Sequence, residues 1–322
     1  MLPAPEQPVY GGGALLNLSG VVCLDKGMPP EVAGYLQASL SDNSRRAYRG
    51  DLAHFLAWGG VIPAAPERVA TYLAAHAGKN GVATLVRRLV SIGKAHLTQG
   101  YPSPVESELV RATMRGIRNT HGSAQRQVAP ALKEDVLRMV SGLAGVKGVR
   151  DKALLLVGFA GAFRRSELVA LTVADIEQAK LGLVFLLRFS KADQEGQGRK
   201  VAIPFARGAV CPVLALQQWL EISGITEGPI FRPVSRHGVV ADVALSAQAV
   251  ALVVKERAKA VGLDPTKFAG HSLRSGLVTS AVQLGVPSWK IRQQTGHASD
   301  AMLARYIRDA NLFVDNAAGA VL

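Results

Sequence analysis

A single stretch of the chain carries a strand signal. LGLVFLLRFSKADQEGQGRKVAIP, residues 181–204, holds two β-prone runs, 183–189 and 201–204, joined by a polar, glycine-containing turn. That is the pattern of an antiparallel hairpin. Almost everywhere else the apolar residues recur at three- and four-residue intervals, which is helical spacing. A chain patterned this way folds as a mainly α protein with a small antiparallel β-hairpin or sheet. No apolar run reaches the roughly 18 residues of a membrane span, so no membrane partner is expected.

The helical segments fall into two groups. After a Pro- and Gly-rich arm over residues 1–30, SDNSRRAYRGDLAHFLAW places Tyr48, Leu52, Phe55 and Leu56 on one face and Arg45, Arg46 and Arg49 mostly off it. This is an amphipathic helix with a basic flank. APERVATYLAAHAG opens on Pro66 and ends on Gly78, GVATLVRRLVSIGKAHLTQG carries Arg87 and Arg88, and PVESELVRATMRGIRNTHG supplies a fourth helix. Proline at a helix start and glycine just past its end mark these boundaries. Together they predict a helical bundle over 31–120. THGSAQRQVAP lacks any apolar period and reads as a linker over 121–130; residues 131–322 form a second domain that contains the hairpin.

Charge narrows the function. Lys and Arg number 37 against 24 Asp and Glu, a net charge of +13, and a surplus of this size seeks a polyanion such as nucleic acid. The surplus is spread over both halves, which suits a two-sided grip on a duplex better than a basic tail does. Arg45, Arg46, Arg49, Arg87 and Arg88 are the candidate DNA contacts of the first domain. Two cysteines are too few for a disulfide framework or a thiolate metal site, and the N-terminus lacks the basic and apolar regions of a secretory signal. A cytoplasmic location is expected.

Several residues invite chemistry. Arg164 and Glu167 stand three apart near a helix start, where the carboxylate can orient the guanidinium; taken alone they also read as a surface ion pair. His271 and Arg274 share one face at the opening turn of another helix, which suits an oxyanion, although His271 also reads as a cap and Arg274 as a structural tie. Lys191 lies toward the hairpin tip, with Arg199 and Lys200 at the start of the return strand as its local rivals. His297 follows Gly296, and Tyr306 comes nine residues later in a helical stretch, where a lone tyrosine is equally a core aromatic. Taken as a set, two arginines, two histidines, a lysine and a tyrosine are what phosphoryl transfer without a metal requires. The cations offset charge on the non-bridging oxygens, and the tyrosine is a nucleophile whose phosphodiester stores the bond energy for religation. No cofactor is expected.

In order and spacing, Arg164-Arg165-Ser166-Glu167, Lys191, His271-Ser272-Leu273-Arg274, Gly296-His297 and Tyr306 resemble the motifs of the tyrosine recombinases, the phage integrase family. SRRAYRGDLAHFLAW is similar to the first helix of that family's core-binding bundle. After Arg274 come Ser275-Gly276, where many integrases have His-Thr. The resemblance implies an N-terminal core-DNA-binding bundle joined to an α+β catalytic domain. It also implies site-specific recombination through a 3′-phosphotyrosyl intermediate and a Holliday junction, without metal or ATP. Arg164 and Arg274 would grip the scissile phosphate, His297 would donate to a non-bridging oxygen, and Glu167 would support Arg164. Lys191 would protonate the leaving 5′ oxygen, His271 would assist proton transfer or hold the phosphate, and Tyr306 would attack. The implied partners are double-stranded DNA with a short inverted repeat and a homotetramer on two DNA sites. The tail after Tyr306, with Leu312, Phe313 and Val314, would dock on a neighbouring protomer. Two further readings stay open at this stage: a type IB topoisomerase, which rejoins the same strand, and a DNA-binding protein without catalysis.

Overall fold

The computed structural model describes residues 29–124, 127–188, 198–206, 208, 210–310 and 321. Most of the N-terminal arm, Lys191 and the tail residues Leu312 to Val314 lie outside the described residues. Residues Met1–Arg126 and Gln127–Leu322 segregate into two compact units.

The first unit contains α1 (Pro30–Ala38), α2 (Asp42–Ala57), α3 (Pro66–His76), α4 (Val82–Leu97) and α5 (Glu108–His121). Local chemistry sets the ends. The Ser41 hydroxyl accepts from Ser44 N–H at 3.3 Å to start α2, and Ser107 accepts from Val110 N–H at 3.3 Å to start α5. These caps satisfy amide donors that a helix start leaves orphaned. α2 packs on α4 and α3 on α5, burying Leu52, Phe55, Tyr72, Leu73, Leu85, Ile92, Val110 and Met114 in one core.

The second unit is built around α7. Lys133–Met139 forms α6, Gly145–Ala160 α7 and Arg165–Ala170 α8; Pro212–Ser223 forms α9 and Ala247–Ala260 α10. Ser272–Gln283 forms α11, Ser288–Thr295 α12 and Asp300–Ala310 α13. Residues 153–158 of α7 are buried on every side, because α9 and α11 both pack on it. Between α8 and α9 lies a three-stranded antiparallel sheet, β1 (Ile176–Ala179), β2 (Gly182–Leu187) and β3 (Arg199–Pro204), in the order β1-β2-β3. Leu183 pairs with Ile203 and Phe185 with Val201, and all four are buried. The Phe185 ring meets Phe163 edge-on at 5.6 Å, so the sheet rests on the turn that leads into Arg164.

β1 has no counterpart in the sequence reading. Of its residues, IEQA, two are polar and all but Ile176 are exposed, without the alternation that signals a strand. The pairing is instead made by the turn at Lys180-Leu181 and by Gly182, whose φ is +154°. A Cβ there would lie 2.2 Å from the Ile203 carbonyl oxygen, so only glycine lets β2 approach β3 at that point. The linker also ends earlier than composition suggests. Ala129 N–H donates to Lys267 O at 2.7 Å and Ala131 N–H to Ser272 O at 2.9 Å, which binds this segment to the start of α11. Among the described residues no helix is long and apolar enough to cross a membrane.

Gly276, one of the two residues that depart from the family pattern, has a packing reason. A Cβ there would lie 1.7 Å from the Ala131 carbonyl oxygen, and backbone cannot swing aside as a side chain can. Gly116, inside α5, has open space where its Cβ would be. One substitution therefore has opposite signs at the two sites. Gly276→Ala is expected to destabilise by at least roughly 1–3 kcal/mol through overpacking, and Gly116→Ala to stabilise by roughly 0.5–1 kcal/mol through helix propensity, both read as shifts in the denaturant midpoint.

Candidate active site

Four segments of the second unit converge. The turn between α7 and α8 contributes Arg164, the N-cap of α8, and Glu167 one turn later. The start of α11 contributes His271 and Arg274, the turn between α12 and α13 contributes His297, and α13 contributes Tyr306.

Glu167 is buried and serves Arg164 twice. One carboxylate oxygen accepts from the Arg164 backbone N–H at 2.9 Å and the other from its Nη1 at 2.5 Å. The first bond caps the helix; the second fixes the direction of the guanidinium. The geometry is thus a tether for Arg164 and differs from a mobile surface pair, since the carboxylate is almost wholly enclosed.

Arg274 is 1% exposed. Its Nη1 donates to Ala162 O at 2.8 Å, and its Nη2 lies 3.2 Å from His297 Nε2. Ala162 has φ of +48°, a conformation that costs an L-residue roughly 1–2 kcal/mol. The strain aims its carbonyl at Arg274, a use of backbone strain that marks functional sites. Burial first, and then the Arg164 charge, pull the Arg274 pKa down to about 10, so it stays charged at neutral pH.

His297 is held from both sides. Since Arg274 can only donate, Nε2 accepts, and Nδ1–H donates to Thr295 Oγ1 at 2.7 Å. The Thr295 hydroxyl donates onward to Ile291 O at 2.7 Å. Burial, followed by the charges of Arg274 and Arg164, pushes the His297 pKa down to about 4, and the ring is neutral at pH 7. The turn itself is clamped by Arg292, which donates to His297 O at 3.3 Å and Ala298 O at 2.9 Å.

His271 Nε2 lies 3.0 Å from the Tyr306 hydroxyl. His271 is exposed, yet partial desolvation and then the charges of Arg274 and Arg164 lower its pKa. A neutral imidazole so placed can take the phenolic proton. The Tyr306 ring packs on Val278, Ile291 and Leu303, so it is a core aromatic at its edge and a site residue at its hydroxyl. The ring centroids of His297 and Tyr306 are 6.2 Å apart.

Of the predicted set, the structure thus gathers Arg164, Glu167, His271, Arg274, His297 and Tyr306, while Lys191 is outside the described residues. Lys200, one rival of Lys191, is turned away and pairs with Glu177 at 3.2 Å. Arg199, the other rival, is turned inward, with its Nη2 3.7 Å from Glu167 Oε2. Thr295, Arg292 and Ala162 were not singled out from sequence. Their roles are backbone and hydroxyl contacts that carry no motif.

In the first unit the basic candidates divide. Arg46 and Arg49 are exposed; Arg45 pairs with Asp42. Arg87 is half-exposed and grips Asp51 with two bonds, 2.7 and 2.8 Å. Arg88 is a correction. It is 8% exposed and lies 3.9 Å from the buried Asp51, so it faces the interior and not a DNA surface. The signal was present in the sequence: Arg88 stands three residues after Leu85 and four before Ile92, on the apolar face of α4, and the buried carboxylate draws it in.

Comparison with known proteins identifies the family. The phage integrase family matches residues 132–312. An integrase/recombinase XerD homologue of Selenomonas ruminantium is 40% identical over 293 residues, spanning 88% of this chain and 86% of that protein. Among solved structures, the XerH site-specific recombinase in a post-cleavage complex with its palindromic difH substrate aligns with a TM-score of 0.59 at 17% identity, over 88% of this chain and 80% of that one. A lambda integrase tetramer bound to a Holliday junction aligns with a TM-score of 0.58 at 16% identity, over 84% and 73%.

The enclosed His297 has a consequence for stability. Unfolded, it takes a proton below about 6.5; folded, only below about 4. The unfolded state therefore binds more protons between these values, and stability falls as the pH drops through that window. The contribution is complete above about pH 6.5 and amounts to at most about 3 kcal/mol. His297→Gln is expected to flatten the slope of the unfolding midpoint between pH 6.5 and 4, with little change in slope above pH 7.

Proposed function

Because the chain belongs to the phage integrase family and is a site-specific tyrosine recombinase, we propose that Tyr306 is its nucleophile and that the six gathered residues divide the chemistry as follows. The Tyr306 oxygen attacks the scissile phosphorus and its proton passes to His271 Nε2. The bond from phosphorus to the 5′ oxygen breaks, and that oxygen takes a proton from the Lys191 ammonium. One phosphodiester is exchanged for another, so no external energy source is consumed, and attack by an incoming 5′ hydroxyl reverses every transfer. Arg164 and Arg274 hold the non-bridging oxygens and offset charge that develops there. His297 adds a donor to the same oxygens by exchanging tautomer. The Thr295 hydroxyl serves either form, because it can donate to Ile291 O or to the imidazole.

The single observation that carries this reading is the 3.0 Å contact of a neutral His271 with the Tyr306 hydroxyl, directly beside the buried Arg274. The DNA assignment is supported by the net charge of +13 and by the exposed Arg46 and Arg49 of α2. The substrate we infer is a duplex with a short inverted repeat, bound by two protomers per site and four per synapse. The lambda integrase tetramer on a Holliday junction supports that stoichiometry. From such a substrate we infer a cytoplasmic protein that works in contact with DNA.

Tyr306→Phe should bind a nicked suicide duplex with unchanged affinity and yield no covalent adduct on a denaturing gel, with wild-type adduct formation persisting in EDTA. An undiminished adduct in the variant would remove Tyr306 from the mechanism, and relaxation of supercoils without exchange between two sites would turn the reading toward a topoisomerase. Lys191→Ala should cleave a normal phosphodiester on the order of 100-fold more slowly but recover on a substrate whose leaving group is a 5′ thiolate, which needs no proton. Equal defects on the two substrates would deny Lys191 the acid role.

A further inference from the structure

Arg199 is a largely enclosed cation beside this site that the proposed chemistry does not use. It opens β3, where it pairs with Leu187, and the alternation of the strand places it with the buried Val201 and Ile203 while Lys200 faces the other way. Its Nη1 donates to Gln294 O at 2.8 Å. Its Nη2 lies 3.7 Å from Glu167 Oε2. Among the described residues neither Nε nor Nη2 has a hydrogen-bond partner, and both are shut off from solvent. Leaving charged donors unsatisfied in the interior is unfavourable, so packing alone is a poor account of this side chain.

Two neighbours supply a better one. Glu167 already accepts from the backbone and guanidinium of Arg164, so without a further cation the pair would be close to neutral, and Arg164 would have little net charge to offer a phosphate. Arg199 brings a second positive charge to the same carboxylate. On its other side it lies against Gly296, where a Cβ would approach its Nε to 2.8 Å and its Cζ to 3.0 Å; Gly296 has φ of +67° and ends α12 one residue before His297. Gln294, which accepts from Arg199, also donates to Ala160 O at 2.8 Å and Ala202 O at 3.2 Å, tying the end of α12 to α7 and β3.

We propose that Arg199 is a positioning residue of the recombination site: it answers the charge of Glu167 so that Arg164 keeps its own charge for the scissile phosphate, and it braces the turn that presents His297. The role rests on the reading of Tyr306 and its neighbours given above. It also links the hairpin that bears Lys191 to the phosphate pocket, since Arg199 is the first residue of the return strand. Consistent with one shared field, the Arg199 charge is felt at both Arg274 and His297, where it disfavours a further proton.

The test uses the full chain in single-turnover cleavage of a nicked suicide duplex at saturating DNA, with DNA affinity measured separately. Arg199→Met should bind DNA within about twofold of wild type but cleave on the order of 100-fold more slowly, and Arg199→Lys should recover about tenfold of that loss. Because the residue acts through Glu167, adding Glu167→Gln to Arg199→Met should restore part of the rate, as the carboxylate no longer needs an answer. The Arg199→Met defect should also shrink on a methylphosphonate, whose reacting phosphorus carries no charge. Wild-type cleavage by Arg199→Met, defects of the double variant that simply multiply, or an equal defect on both substrates would each overturn the proposal. So would loss of folding in both the Met and Lys variants, which would make Arg199 a structural tie. Failure of the underlying reading looks different, since wild type itself would then form no adduct at Tyr306.

Discussion

A guanidinium with 1% of its surface exposed needs partners, and the protein gives Arg274 two: a strained carbonyl at Ala162 and a neutral imidazole at His297. Much of the second unit can be read as the support of that arrangement. α11 must start at the right depth for Arg274 to reach Ala162, and Gly276 lets α11 settle on the Ala131 backbone. α7 must end where Ala162 adopts its positive φ, and Phe163 next to it is pinned by Phe185 of the sheet. The result is a fixed concentration of positive charge in a poorly solvated pocket. There, in the proposed mechanism, it would act on a phosphate far more strongly than the same charges would in water.

That field also explains the histidines. Bringing imidazoles beside two arginines and partly out of water disfavours their charged forms. His297 becomes a neutral hydrogen-bonding group and His271 a neutral acceptor within reach of Tyr306. In the proposed mechanism, the base next to the nucleophile is obtained from the cations that would bind the substrate. Glu167 is the sole acidic member, and its enclosure with Arg164 and Arg199 keeps it from cancelling the rest.

The first unit follows the same physics to a different end. Buried Asp51 in α2 is met by Arg87 and Ser91 from α4, at 2.7 and 3.2 Å, with Arg88 behind. This anchors the two helices and turns Arg88 inward while Arg87 stays half-exposed, alongside the exposed Arg46 and Arg49 of α2.

Sequence by itself determined the helical class, the hairpin, and the members of the site that sit one turn apart or at a set distance along neighbouring helices. Arg164 with Glu167, and His271 with Arg274, are legible because three-residue spacing on a helix is enough to bring side chains together. His297 and Tyr306 are legible only as residue types in a cationic set around a tyrosine, and the resemblance is what pairs them, since a turn interrupts the helices between them. The tertiary structure decided what depends on contacts between distant positions. Ala162 meets Arg274 across 112 residues, and Arg199 meets Gln294 across 95. It also decided that β1 is a strand and that Arg88 is interior. A mostly exposed strand with no apolar alternation exists only because a partner edge is present, and an arginine on an apolar helix face is buried only because a carboxylate waits there. Local spacing fixes which side chains can act together; which of several equivalent cations turns inward is settled by the charge already buried at its destination.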